Sequence, residues 1–344
     1  MIIRGAWSPR PWNVVLGQPD LEPNMPGRSA RILVWILVPI AALVAAGGWW
    51  LRRHDQTADP SFSASVARPA YPFTAGVVHP HVAVDDAHHE FHTLPGRYAP
   101  FARLLLADGF EVTASHAPFS AAGLKGVDVL VIANAMGASL PMLPGARHSA
   151  FTEAEMDSLR EWVRGGGSLL LVSDHEPMGD ANRALAARFG VDMRSARTVD
   201  FVRYDSVSGS PAWIVFERAH GEIGDHPITQ GRDSTERIDR VVGYAGQSLA
   251  APAGATALLI LGDSAFDRMP NGEFTPAKGR AMAVAMEFGK GRVVVVGEAA
   301  MLTAQVTNAG ALRFGFQLPG TQDQQFVLNV ARWLARSGAR DAAR

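Results

Sequence analysis

The chain has 344 residues, with 32 Lys and Arg against 33 Asp and Glu, a formal net charge of −1 and no cysteine. A near-neutral balance without a basic stripe interleaved with aromatics argues against a nucleic-acid partner, and the missing thiols exclude disulfides, thiolate metal sites and cysteine nucleophiles.

Residues 1–31 read as a cytoplasmic tail rich in Pro and Trp and without periodicity, within which Met25, followed by P-G-R-S-A-R, is a candidate true start. Residues 32–51 carry no charge, and about twenty apolar residues are what a helix needs to cross a bilayer. We therefore expect a transmembrane anchor there. Arg28, Arg31, Arg52 and Arg53 flank it, and Trp49 and Trp50 suit the headgroup level. A buried core helix would need polar residues on one face. A cleavable signal peptide is the closer rival, since Ala45, Ala46, Gly47 and Gly48 are small, but bulky Trp49 and Trp50 favour an anchor. The flanking arginines nearly balance, so orientation rests on the tendency of an N-terminal anchor to export the domain attached to it. Residues 52–72 read as a Pro/Ser/Ala linker, 73–337 as one large domain and 338–344 as a tail.

Within the domain, residues 76–84 predict a strand and 96–107 a helix, with Phe101, Leu104 and Leu105 at helical spacing. Strands are expected next at 110–114 and at 128–133, the second an unbroken D-V-L-V-I-A of the kind buried on both faces. Thr152 and Glu155 make a capping box for a helix that Gly165, Gly166 and Gly167 stop. Residues 168–173 give the next buried strand, whose exit D-H-E-P-M-G-D leads into a helix at 181–189. From 191 to 290 shorter runs (212–216, 238–244, 256–261) predict added, partly antiparallel strands. A hairpin over 281–297 turns at Gly289-Lys290-Gly291, and a helix over 322–335 closes the domain. Alternating strands and helices predict a doubly wound, mostly parallel α/β sheet.

Five of the eleven histidines lie between residues 79 and 92, beside Asp85, Asp86 and Glu90. Neutral imidazoles and carboxylates are the usual ligands of zinc or manganese when thiolates are missing. Asp85, Asp86, His88 and His92, at and beyond the first strand's carboxyl end, are the candidate metal ligands. His226, in the loop D-H-P, joins them. The alternative is a polar turn whose histidines only cap backbone. Asp174 and His175, leaving the 168–173 strand, and Glu298, in G-E-A-A-M, are the candidate catalytic residues: an Asp beside a His can orient the ring and raise its basicity. Asp180 suits the N-terminal cap of the next helix equally well and is set aside. Convergence of Asp85, His88, His92, Asp174 and His175 on one pocket is expected, because parallel strands point their exits the same way.

The motifs D-D-A-H-H-E-F-H-T, G-R-Y-A-P-F, D-H-E-P-M-G, D-H-P-I-T, G-E-A-A-M and Q-F-V-L-N-V-A-R-W-L together resemble a bacterial family of unknown function, the DUF4350 type. The resemblance spans about residues 76–336 and implies a class I glutamine amidotransferase-like (flavodoxin-like) fold. Glutaminases of that superfamily use a Cys on a strand-to-helix elbow and a later His-x-Glu pair. Here the elbow reads Ser173-Asp174-His175-Glu176, and no His accompanies Glu298, so Cys-dependent glutamine hydrolysis is excluded. The anchor and the resemblance together imply a single-pass protein of the bacterial inner membrane with its domain outside the cytoplasm. Two readings remain: a metal-assisted hydrolase of an envelope sugar, peptide or amide, or a non-catalytic module that binds a carbohydrate or other cell-envelope ligand or acts as a scaffold.

Overall fold

The central strands are unbroken apolar runs because both of their faces are covered. In Val129–Ala133, buried at every position, Val129, Val131 and Ala133 enter one core while Leu130 and Ile132 enter the other, the period of two of an extended chain. The structure is a computed structural model that describes residues 37–38, 56–307 and 311–335. By its contacts the chain divides into two units, Met1–Leu51 and Arg52–Arg344, and the sheet and its helices belong to the second.

Six strands frame the domain: β1 (His81–Asp85), β2 (Glu111–Ser115), β3 (Val129–Ala133), β4 (Ser168–Val172), β5 (Ala281–Phe288) and β6 (Gly291–Val296). They lie in the order β2-β1-β3-β4-β6-β5 within a nine-stranded sheet. The first five of that order pair in parallel, and β5 returns antiparallel to β6 through the expected hairpin. Short strands Asp192–Met193, Leu249–Ala250 and Thr256–Ile260 extend the far side. The fold is mixed α/β, and its order places the reversal of winding between β1 and β3, where doubly wound sheets take ligands.

Four helices cover the sheet: α1 (Ala99–Ala107), α2 (Glu153–Gly165), α3 (Met178–Arg188) and α4 (Asp323–Leu334). Side chains of α1 and α4 pack into one core, and those of α2 and α3 into the other. The capping box forms as the sequence predicts: Thr152 accepts from the Glu155 backbone N–H, Glu155 reaches back to the Thr152 N–H, and Gly166 ends α2 at φ 129°. Two further small sheets, Trp213–Glu217 with Arg240–Tyr244 and a three-stranded set built from Arg197–Asp200, Ala265–Arg268 and Phe274–Pro276, are antiparallel.

Several boundaries differ from those the sequence predicts. The strand expected from residue 76 begins at His81, because Gly76 sits at φ 88° and Pro80 has no N–H to pair. The helix expected from residue 96 begins at Ala99. Part of the expected linker belongs to the domain: Thr57–Ala58 pairs with the strand Ala304–Thr307, and buried Asp59 takes Arg313 at 2.5 Å. Of the expected span at 32–51 only Leu37 and Val38 are described, both helical; the rest, with the tails at 1–31 and 338–344, lies outside the described residues. Among the described residues no helix is long and apolar enough to cross a membrane.

Asp323, at the start of α4, ties that helix to the two-stranded sheet by accepting from the Val242 N–H at 3.0 Å and the Tyr244 hydroxyl at 3.3 Å. Burial pushes its carboxyl up from 3.8 to about 8, against the pull of those hydrogen bonds. A folded-state value above the unfolded one gives stability that is complete below the unfolded value and is lost as pH rises through the folded one. Asp323→Asn keeps an acceptor for Val242 and cannot ionise. Thermal melts between about pH 5.5 and 8.5 are expected to show a shallower loss of stability in this variant than in the wild type; parallel slopes would refute the assignment.

Candidate functional site

Strand register brings the candidate residues to one level. Ala133, Val172 and Val296 are paired across β3, β4 and β6, so Asn134, Asp174 and Glu298 come just beyond. Asn134 adopts φ 61°, a left-handed conformation that Asn tolerates better than most side chains. Its Oδ1 accepts from the Asp174 N–H at 2.7 Å, and its Nδ2 donates to Asp174 Oδ2 at 2.7 Å and to His92 Nδ1 at 3.1 Å. Asp174 Oδ1 accepts from the Ala299 N–H at 2.7 Å. Glu298 accepts from the Ala300 and Met301 N–H groups, one on each oxygen, at 2.6 and 2.7 Å.

These carboxyls titrate above their ordinary range. Burial raises Asp174, against the pull of His175, Asn134, the Ala299 N–H and Arg197. Burial and then the Asp174 charge push Glu298 well up. His92 goes the other way, driven to about 3 by burial and then by Arg97, so the ring is neutral. Two glycines permit the close packing beneath: a Cβ on Gly246 would stand 2.3 Å from the Gly297 carbonyl oxygen, and one on Gly297 would stand 2.2 Å from that of Gln247.

His92, Asp174 and Glu298 line a cavity of about 520 Å³, with His175 and Arg197 also at its lining. Arg197 Nη2 donates to His175 Nε2 at 3.1 Å, which leaves the ring proton on Nδ1 to donate to the Glu176 carbonyl at 2.9 Å. Trp213, Tyr244 and Phe314 form an aromatic wall, with ring centroids 4.9 Å apart for the first two, 5.4 Å for Tyr244 and Phe314 and 5.9 Å for Trp213 and Phe314.

A second group stands apart from this lining. His88 Nδ1 lies 2.7 Å from Asp85 Oδ2, and its Nε2 lies 2.9 Å from Glu155 Oε1. Glu90 Oε2 accepts from the His88 N–H at 3.0 Å. Among the described residues, Asp85, His88 and Glu90 offer ligand atoms within 4.8 Å of one another. Burial and the neighbouring Asp85 push Glu90 up to about 10. Burial alone would lower His88, but Asp85 and Glu155 more than offset it. Burial would raise Glu155, yet bonds from Thr152 and His88 hold it at about 2.

The expected single convergence therefore divides in two. Asp174, His175, Glu298 and His92 share the cavity; Asp85 and His88 join Glu90 and Glu155 instead. Asp86 belongs to neither; its carboxyl lies 3.6 Å from His116 Nδ1. His226 caps the short helix Pro227–Gln230: it accepts from the Ile228 N–H at 3.1 Å and packs edge-on against Trp333, ring centroids 4.8 Å apart. Asp180 lies in the first turn of α3 and pairs with Arg147 and Arg183. His79 and His81 bond to the Gly109 carbonyl and to Thr113. Sequence reasoning missed Asn134, although it leaves a buried strand just as Asp174 does, and Glu155, which it read only as a cap.

The fold and cavity define an α/β domain with a ligand-sized cleft at the carboxyl edge of a parallel sheet. No protein-family model matches the chain, and no curated protein matches it. Among solved structures, the mmIFT52 N-terminal domain is similar with a TM-score of 0.52 at 17% identity, over 74% of this chain and 97% of that one; at that identity the likeness concerns the fold. A ThuA-like protein from Bacteroides uniformis gives a TM-score of 0.43 at 13% identity, over 80% of this chain and 95% of that one. A GMP synthase protein from Thermoplasma acidophilum gives 0.41 at 10% identity, over 78% and 99%.

Removing the Asn134 side chain leaves the Asp174 N–H and one carboxyl oxygen without their partner, which is expected to cost about 2 to 4 kcal/mol in denaturant unfolding. His226→Ala, which loses a cap and an edge-on ring contact, is expected to cost about 1 to 2 kcal/mol. Equal losses would mean that Asn134 does not hold the site together.

Proposed function

We propose that this is a membrane-anchored receptor domain that binds a saccharide-class ligand of the cell envelope in the cleft at the carboxyl edge of its sheet. The carrying observation is the composition of that cleft. An aromatic wall (Trp213, Tyr244, Phe314) shares the cleft with carboxyl and imidazole groups already fixed by hydrogen bonds. Sugars have an apolar C–H face that packs on aromatic rings and hydroxyls that pair with carboxylates and imidazoles. Groups held by their own partners lose little freedom on binding.

The remaining identity belongs to the same reading: a DUF4350-type chain of class I glutamine amidotransferase-like fold, anchored in the bacterial inner membrane through residues 32–51, with its domain outside the cytoplasm. Washed membranes are expected to retain the full chain at alkaline pH, and an added protease is expected to reach the domain only from the extracytoplasmic side. Release by the wash, or cleavage from the cytoplasmic side, counts against the anchor or its orientation.

Asp174 and Glu298 favour a second reading, a hydrolase of an envelope sugar, peptide or amide. Two carboxyls raised together near a cavity provide the neutral acid and charged base that hydrolysis needs. A metal-assisted form would draw its ion from the Asp85 group, which does not line the cleft.

Calorimetry of the full-length protein with mono- and disaccharides and cell-wall fragments is expected to find saturable binding, weakened about tenfold or more by Trp213→Ala, a loss of at least about 1.4 kcal/mol. Absence of saturable binding by any of them, or binding indifferent to Trp213, refutes the receptor. Turnover of a bound fragment that Asp174→Asn abolishes would select the hydrolase.

A further inference from the structure

The segment leaving β1 holds a group of acceptors that face one another. His88 Nε2 is engaged by Glu155 Oε1 at 2.9 Å. The ring's Nδ1 lies 2.7 Å from Asp85 Oδ2, so without a metal the ring carries a proton on each nitrogen and donates to both carboxyls, and a cation can take the place of the Nδ1 proton. Glu90 adds a third. Its side chain is 7% exposed and stands against the Asp85 carboxyl, and its buried Oε1 meets no other protein partner, so the two carboxyls hold either a shared proton or a cation in its place. An oxygen buried without a donor costs free energy that an ion would recover.

We propose that Asp85, His88 and Glu90 bind one divalent transition-metal ion of the zinc or manganese class, with Glu155 orienting His88 from outside the ligand set. One imidazole and two carboxylates form the mixed nitrogen and oxygen set that these ions take, leaving room for water or a further ligand. A carboxylate bonded to the far nitrogen of a ligating imidazole fixes the ring's tautomer and direction. Phe119 and Phe151 flank His88, with ring centroids 4.6 and 4.9 Å away, and supply an apolar surround. Phe91 and His92 come directly after Glu90 and line the cleft, so the ion braces the segment that delivers them. The site is independent of whether the cleft binds a saccharide.

The test uses the full-length protein, stripped with a chelator and then given zinc or manganese alone. Elemental analysis is expected to find one ion retained per chain, and the melting temperature to rise with added metal. Glu90→Gln, nearly the same shape, and His88→Gln are expected to lose both responses. Glu155→Gln is expected to weaken retention about 10- to 100-fold while keeping the stoichiometry, and Asp86→Asn to behave as the wild type. Circular dichroism identifies a variant that has failed to fold, and Glu155→Gln then carries the test through its weakened but unchanged stoichiometry. No saturable uptake of either metal by the wild type, or uptake unaltered in folded Glu90→Gln, would overturn the site and leave the cluster a proton-linked brace.

Discussion

The paired hydrogen bonds between Asn134 and Asp174 are the constraint on which the cleft depends. One side-chain amide closes a ring with the backbone N–H and the carboxyl of the residue leaving the adjacent strand, each contact at 2.7 Å. From this clasp the other positions are set. The second hydrogen of the amide is directed at His92, and the second oxygen of Asp174 is directed at Ala299, whose neighbour is Glu298. Three strand exits and the loop after β1 are thereby held at one level by bonds that are buried or part-buried.

The histidine-rich segment shows why crowding in a sequence does not specify a single site. His88 and His92 are four apart, a spacing that shares a face on a helix or on a regular strand, and this segment forms neither. Within it His89 takes a left-handed turn at φ 55°. His88 consequently packs with Phe119 and Phe151, which belong to one core, while His92 packs with Tyr98, which belongs to the other. The sheet separates residues that the chain sets side by side.

The sheet itself was largely legible. Runs such as D-V-L-V-I-A and R-V-V-V-V-G identify strands buried on both faces, and the hairpin back to the centre is implied by its glycine turn and the apolar arm beyond it. The site was legible only where chemistry and position coincide, as at Asp174 and Glu298. Glu155 illustrates the limit: one of its oxygens closes the capping box on Thr152, and the other meets His88. A local motif reports the first contact and is silent about the second, which spans 67 positions of chain. His226 errs in the opposite sense, since a ring nitrogen that caps a helix looks the same in sequence as one that holds a metal.

Burying Asp174 and Glu298 near each other is unfavourable in itself. Each charge loses hydration, and the charge on one disfavours ionisation of the other. The backbone N–H groups of residues 299, 300 and 301 compensate in part, but hydrogen bonds to carboxyls restore only what water would have supplied. A well-packed apolar pair at the same strand ends would avoid the desolvation cost. The arrangement is therefore unfavourable as architecture and well suited to a ligand site: acceptors are fixed before the ligand arrives, beside an aromatic wall, so the work of orienting them has been done by folding rather than left to binding.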